Sequence, residues 1–563
     1  MAESSGNEGN WSSPAARNQA PRNIHPSQIS RPEHQYQSLD ARYDLESDHF
    51  LSGSPQSIKH KLGSFVGSYS RTSMMFMAEN LSVPITATRH LEDDADFDTR
   101  STMSFLSRWD SRRDTAPQID IERRSSAGSF GAGEYTPLLL PKLDKVPTIS
   151  ITSIAEDYQF DPHSIQGSAQ KSSYLQSVFN SINILIGIGI LSLPLGFKCA
   201  GWAVGGTVFI FCCGLTMYTA KLLSRCLSCG ENARTYGDMG DAAFGLHGRV
   251  LVSMLFLTEL ITSSVALVVL LGDGIQSLFP GYDTLTVRGI SWLVVTPMLF
   301  LPVRQLSYTS LFGIVSAGAL LVIMLFDGLT KQEAPGSLLE PADTTLWPES
   351  WSTVPLSFGL IMAGFAGHAV LPSVHHDMDE PKHYNKMVNT TYVIVTAVYA
   401  LMASAGYAMF GSYTMEEITQ NLSSTPGYNQ ALNRFAVILI ALNPIAKYAL
   451  TLNPVNLTWE IWLFSNDKVD YFCGGDKRKV IKFIGKLLVS TLVVTLAYLI
   501  PGFDKVMALL GAFFSVTISG SFPLLCHMKL FHDTMPKWEM ALNIVLFIIS
   551  MAMAILGTAW SFL

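Results

Sequence analysis

The chain has 563 residues, 48% of them hydrophobic and 15% charged, with a formal net charge of −7. A soluble domain carries about a quarter of its residues as charges, and the deficit here is concentrated: 39 of the first 171 residues are charged, against 44 of the other 392. So few charges cannot cover the surface of a water-soluble core of that size, and no basic face exists to hold a nucleic acid.

The amino-terminal stretch, MAESSGNEGNWSSP, has no apolar run after a basic start, so no signal peptide is expected there. Residues 1–171 are rich in Ser, Pro, Asp and Arg and carry no apolar period. Such a segment buries too little apolar surface to offset its chain entropy, so it is expected to be a disordered cytosolic tail with a regulatory or sorting role. Glu134, followed after three residues by Leu138 and Leu139, fits an acidic dileucine signal, which a sorting adaptor complex reads in extended form. Arg123-Arg124-Ser125-Ser126 and Arg71-Thr72-Ser73 are candidate kinase sites, where added phosphate would change the tail's charge.

Residues 172–563 divide into eleven apolar runs: 172–197, 199–220, 250–272, 289–303, 305–326, 350–376, 387–415, 435–459, 487–503, 506–528 and 540–563. A hydrocarbon core of about 30 Å takes about 20 helical residues to cross. The sequence therefore predicts an all-α polytopic membrane protein with eleven transmembrane helices. Lys and Arg in the connections fall fifteen to five in favour of the side that carries the amino terminus. The positive-inside bias then places the amino terminus in the cytosol and, with an odd number of spans, the carboxyl terminus on the far, lumenal side. Asn421, in an Asn-Leu-Ser sequon on that far side, is a glycosylation candidate.

The first run, SVFNSINILIGIGILSLPLGF, has Gly187 and Gly189 in mid-membrane with Pro194 shortly after; the sixth, FGLIMAGFAGHAVLP, has Gly359, Gly364 and Gly367 with Pro372 after. In lipid, such breaks are tolerated only where the freed backbone groups face protein, water or ligand. Breaks in spans one and six are the mark of five-helix inverted repeats around a central site. The amino end of a half-helix offers N–H groups to a carboxylate, and freed carbonyls accept an ammonium. The residues placed to bind a zwitterion are Asn183, Gly187, Ile188, Gly189 and Ile190 in span one, with Gly364, Phe365, Ala366 and Gly367 in span six. Phe365 would be an aromatic wall or gate. The competing reading is that the glycines only let helices pack closely.

The stretches FNSINILIGIGILSLPLGFKCAGW, LTEL at 257–260, GFAGHAVLPS at 364–373 and AKYALTLNPV at 446–455 resemble the amino acid/auxin permease family. The match is closest to fungal vacuolar neutral amino acid transporters of the Avt type, and more distant to the vesicular inhibitory amino acid transporter. The resemblance implies a LeuT-like fold of ten core helices plus one. It also implies amino acid transport coupled to protons across the membrane of an acidic organelle.

Two charges lie inside spans, Glu259 and Lys447. Each costs about 2.5–3.5 kcal/mol at mid-span on insertion scales, which calls for a functional or structural reason. Glu259 is a candidate proton carrier; alternatively it pairs with Lys447 or with the hydroxyls of Thr258 and Thr262. By analogy with sodium-coupled members of the fold, the Lys447 ammonium would occupy the place of a cation. His368 is a third proton-coupling candidate, or a histidine bonded to a neighbouring carbonyl. His375, His376, Asp377, Asp379 and Glu380 have the composition of a metal cluster but are expected to form a solvated loop. Cys226 and Cys229 form a lone CxxC with no second pair, which favours packing over metal or redox chemistry. No phosphate loop, nucleophile–base arrangement or cofactor motif is present, so the proton gradient is the expected energy source and no enzyme is expected.

The sequence thus predicts a secondary active transporter of neutral amino acids, an amino acid/proton antiporter of a vacuolar or lysosome-like membrane. A plasma-membrane amino acid/proton symporter and an amino-acid-sensing membrane receptor are the alternatives. The partners are the lipid bilayer, an amino acid and, at the tail, an adaptor complex.

Overall fold

The computed structural model describes residues 171–229, 235–301, 303–464, 476–500 and 502–561. The expected tail, with Glu134, Leu138 and Leu139, lies outside them. All regular elements among the described residues are helices. A single bridge pairs Ser172 with Met378, held by Ser172 N donating to the Asp377 carbonyl at 2.7 Å and Asp379 N donating to the Ser172 carbonyl at 3.0 Å.

The first apolar run becomes α1 (Tyr174–Leu185), which starts at a capping box on Ser173 and Gln176 and ends at Ile186 and Gly187. A 3-10 turn, Ile188–Ser192, resumes the direction and leads into α2 (Leu193–Leu227). Within α2 the backbone turns at Gly201, whose φ is 70° and whose added Cβ would lie 2.7 Å from the carbonyl carbon of Trp347. Only glycine satisfies both demands. Beyond the turn, Trp202 N and Ala203 N donate to the carbonyls of Thr345 and Leu346, so the new helix start is capped by a distant connection.

There follow α3 (Tyr236–Phe244), α4 (Leu246–Leu278), α5 (Thr284–Val295) and α6 (Val303–Thr330). The sixth apolar run is split into α7 (Val354–Ala363), a 3-10 turn at His368–Val370 and α8 (Leu371–Asp377). Then come α9 (Tyr384–Phe410), the short α10 (Ile418–Ser424), and α11 (Gln430–Phe464) with Pro444 and Pro454 inside it. The last elements are α12 (Asp476–Leu499), α13 (Phe503–Leu509), a π-helical stretch Leu510–Ser521, α14 (Phe522–Leu530) and α15 (Lys537–Ser561).

Nine described helices are long and apolar enough to cross a membrane, against the eleven expected. The difference has a physical origin. α1 has 12 residues and is cut off by its glycines from the 40-residue segment Ile188–Leu227, which continues through Gly201, and Thr284–Phe300 is a shorter apolar helix. The outer faces are apolar: Ile210, Val393 and Leu499 are 72%, 68% and 68% exposed. Water does not tolerate such a surface over a whole molecule; hydrocarbon does.

The buried centre is made by α7 and the π-helical stretch, which pack against each other; α2 and α15 lie against both, and α4 lies against the π-helical stretch. Backbones meet there: a Cβ on Gly511 would fall 1.8 Å from the carbonyl oxygen of Gly359, and one on Gly359 would fall 2.6 Å from that of Ala508. Small residues allow this approach, as in membrane helix pairs generally.

One expectation needs correction. The acid- and histidine-rich stretch after span six is not simply a solvated loop: residues 371–377 are helical, Asp377 is buried and bonded to the Ser172 hydroxyl, and His375 packs against Tyr384. Among the described residues no group of three His, Cys, Asp or Glu side chains is placed to hold a metal ion. The glycosylation candidate Asn421 is 4% exposed; its amide nitrogen donates to the Tyr413 carbonyl at 2.8 Å, and its oxygen accepts from Met415 N at 2.9 Å.

Candidate functional site

The two helix breaks lie against each other. A Cβ on Gly189 would sit 2.8 Å from the Gly364 Cα and 2.9 Å from its nitrogen, so the first and sixth apolar segments touch backbone to backbone at their interruptions. Gly367 takes a φ of 129°, which leaves the segment free to restart at His368. Tyr399, fully buried on α9, fastens the junction: its hydroxyl lies 2.6 Å from the Leu185 carbonyl oxygen and 2.8 Å from that of Gly364. One donor shared between the carbonyls of both breaks replaces backbone bonds that the interruptions remove.

Beside this junction is a cavity of about 270 Å³. Span one contributes Asn183, Gly187, Ile188 and Gly189 to its wall, and span six contributes Ala366 and Gly367. Gly187 is open on that side, since a Cβ there would meet nothing closer than 3.9 Å. The rest of the wall is mostly apolar, with Phe256, Leu260, Leu450 and Met507 among its members, and polar groups come from Ser263, Thr451 and Ser515. The Ser515 hydroxyl, on the π-helical stretch, has no hydrogen-bond partner among the described residues. A buried hydroxyl without a partner is costly, and one that faces a cavity is available to a ligand.

Glu259 and Lys447 both line this cavity. They do not form a pair: among the described residues, no ion pair within 4.0 Å includes either of them. Thr258 and Thr262 spend their hydroxyls on their own helix, donating to the carbonyls of Met254 and Thr258 at 2.8 and 2.9 Å. Lys447 sits one turn beyond Pro444 in α11, and its side chain lies against α6, where a Cβ on Gly313 would meet its Cε at 2.8 Å and its Nζ at 3.2 Å.

Four expected residues lie off the cavity wall. Ile190 is buried in the core, and Gly364 faces Gly189 and Tyr399. Phe365 turns its ring away, into an aromatic group with Phe209 at 5.7 Å, Tyr399 at 5.4 Å and Tyr392 at 6.5 Å, so the aromatic wall is Phe256 instead. His368 is fully buried and bonded to a carbonyl. Its Nε2 lies 2.9 Å from the Thr216 carbonyl oxygen and 3.1 Å from the Thr219 hydroxyl, which also bonds the Ser519 carbonyl. It joins span six to α2 and the π-helical stretch.

A family of transmembrane amino acid transporter proteins matches residues 170–563. The chain belongs to that family. Among its relatives are three proteins of Arabidopsis thaliana. Amino acid transporter AVT1B is 31% identical over 70% of this chain and 71% of that protein. Amino acid transporter AVT1E is 30% identical over 78% and 84%, and amino acid transporter ANT1 is 26% identical over 70% and 94%. Among solved structures, the chain is similar to MhsT in complex with L-phenylalanine, with 11% identity, a TM-score of 0.44 and coverage of 70% of this chain and 99% of that one. Inward-facing Mhp1 is similar with 12% identity, a TM-score of 0.42 and coverage of 70% and 89%. This transporter is therefore a multi-pass membrane protein of a family that moves amino acids and is not enzymatic.

Proposed function

We propose that the protein is a secondary active transporter that exchanges neutral amino acids for protons across a vacuolar or lysosome-like membrane. The observation that carries this reading is the convergence of both helix breaks and two unpaired charges on one cavity. The cavity is large enough for one small zwitterion, and its wall offers what the two ends of a zwitterion require. The backbone at Gly187–Gly189 and Ala366–Gly367 meets the α-carboxyl and α-amino groups, helped by the free Ser515 hydroxyl. The apolar groups Phe256, Leu260, Leu450 and Met507 receive an uncharged side chain. A LeuT-like arrangement of ten helices plus one follows, with eleven spans, the broken first and sixth at the centre, the amino terminus in the cytosol and the carboxyl terminus in the lumen. Residues 1–171 serve as a cytosolic tail that an adaptor reads through Glu134, Leu138 and Leu139.

Proton coupling rests on the chemistry of the two charges. A carrier driven by protons needs a group whose charge differs between its two facing states. Among the described residues Glu259 has no cation to hold it ionised, and Lys447 no carboxylate to hold it charged, so each is free to change protonation as solvent and substrate enter and leave. The test is uptake of a panel of labelled amino acids by the purified full chain in liposomes, with and without a pH gradient. Accumulation of neutral amino acids that a proton ionophore abolishes supports the reading. Saturable binding with no counterflow contradicts it and favours a receptor.

A further inference from the structure

A second group of ionisable side chains lies away from the cavity, at the carboxyl end of α4. Asp273 is on α4, and about 21 Å of helix separates it from Glu259. Arg288 on α5 donates to Asp273 Oδ1 at 2.9 Å and to the Ile500 carbonyl at 2.9 Å. Glu417, the residue before α10, brings a second carboxyl within hydrogen-bonding reach of Asp273. Asp273, Arg288 and Glu417 are 7%, 2% and 1% exposed. Around them lie Glu416, whose Oε2 accepts from Phe503 N at 2.9 Å, then Asp504 beside Glu416, and Lys198, whose Nζ donates to the Thr414 carbonyl at 2.8 Å.

The inventory of donors does not close. Thr419 donates to Glu417 Oε2 at 3.0 Å, but Glu417 Oε1 is buried and has no donor among the described residues. Two ionised carboxylates have no hydrogen to place between them, and one guanidinium cannot neutralise both. Glu416 and Asp504 add like charge and make the deficit worse. A proton on one carboxyl supplies the missing donor and removes the excess charge in one step. We propose that Asp273 and Glu417 share one proton, as a proton-binding site distinct from the cavity. Burial, and then the neighbouring Asp273 carboxylate, push the Glu417 carboxyl well above the ordinary carboxylate range, in agreement with the geometry. The inference does not depend on what the cavity binds.

The test is an infrared pH titration of the full chain in lipid nanodiscs, reading the C=O stretch of protonated carboxyls. Run in the Glu259→Gln protein, it removes the cavity acid from the signal. A protonated-carboxyl band should persist there at neutral pH and be lost on adding Glu417→Gln or Asp273→Asn, since Arg288 then holds the remaining acid ionised. A band that survives both additions, or none at neutral pH in the Glu259→Gln protein, overturns the proposal. Should one added variant fail to fold, the other gives the same reading, and the Glu259→Gln titration alone can still contradict it.

Discussion

The Tyr399 hydroxyl is placed where a single atom has a large effect. It bridges carbonyls from two breaks that are 214 and 35 residues away from it in sequence. Tyr399→Phe keeps the ring, and with it the edge contact to Phe365, but leaves buried carbonyls without a donor. The loss should be about 1–3 kcal/mol of stability, read as a lower unfolding temperature in detergent, together with weaker substrate binding; unchanged values in both would remove Tyr399 from the junction. Glu259→Gln keeps the size of the cavity acid and fixes it as neutral. Exchange of one amino acid for another, which moves no net proton, should survive, whereas accumulation driven by a pH gradient should fail. Wild-type accumulation by the variant would leave Glu259 structural and pass the role to Lys447. The glycines of the breaks were legible in the sequence because Gly and Pro act locally on the backbone. Tyr399 was not, since nothing near it in sequence says that its hydroxyl ends at Leu185. Phe365 misled for the same reason: its position beside the break was readable, the direction of its ring was not.

Among the elements, the long apolar runs announced themselves, and each is helical in the structure. Their ends and interruptions were harder to place, because they depend on partners. Gly201 turns α2 only in company with Thr345 and Leu346, and the π-helical stretch Leu510–Ser521 has no local signature in its apolar residues. That stretch gives a sharp test of packing. Gly511→Ala would drive a methyl into the Gly359 carbonyl, so it should cost about 3 kcal/mol or more and prevent stable assembly. Gly206, helical and with nothing within 4 Å of its added Cβ, should accept alanine with a gain of up to about 1 kcal/mol. Monodispersity and unfolding temperature of the two purified variants make the comparison, and equal behaviour would contradict the close approach of α7 and the π-helical stretch.

For the molecule as a whole, the composition alone led to a multi-pass membrane protein, and four motifs led to the family. The second acidic group stayed hidden because Asp273, Arg288 and Glu417 come from two helices and a distant connection that only the fold unites. It implies a dependence of stability on pH. The Glu417 carboxyl lies above its ordinary range, so the folded chain holds a proton that the unfolded chain gives up. Its contribution is complete below the ordinary glutamate range and is lost as pH rises through the raised value. Unfolding temperature should therefore fall with rising pH more steeply in the wild type than in Glu417→Gln; parallel curves would contradict it.

The claim on which the account turns is that substrate meets the backbone where the first and sixth apolar segments are broken. Gly187→Val examines it most directly, because the position has an ordinary extended backbone and open space, so a branched side chain adds bulk to the cavity without a clash. The measurement is counterflow of a labelled neutral amino acid by purified wild-type and variant protein in liposomes, with the unfolding temperature of each recorded beside it. The variant should unfold at a temperature close to that of the wild type and lose counterflow. Counterflow with unaltered apparent affinity in Gly187→Val would place the substrate elsewhere and contradict the claim.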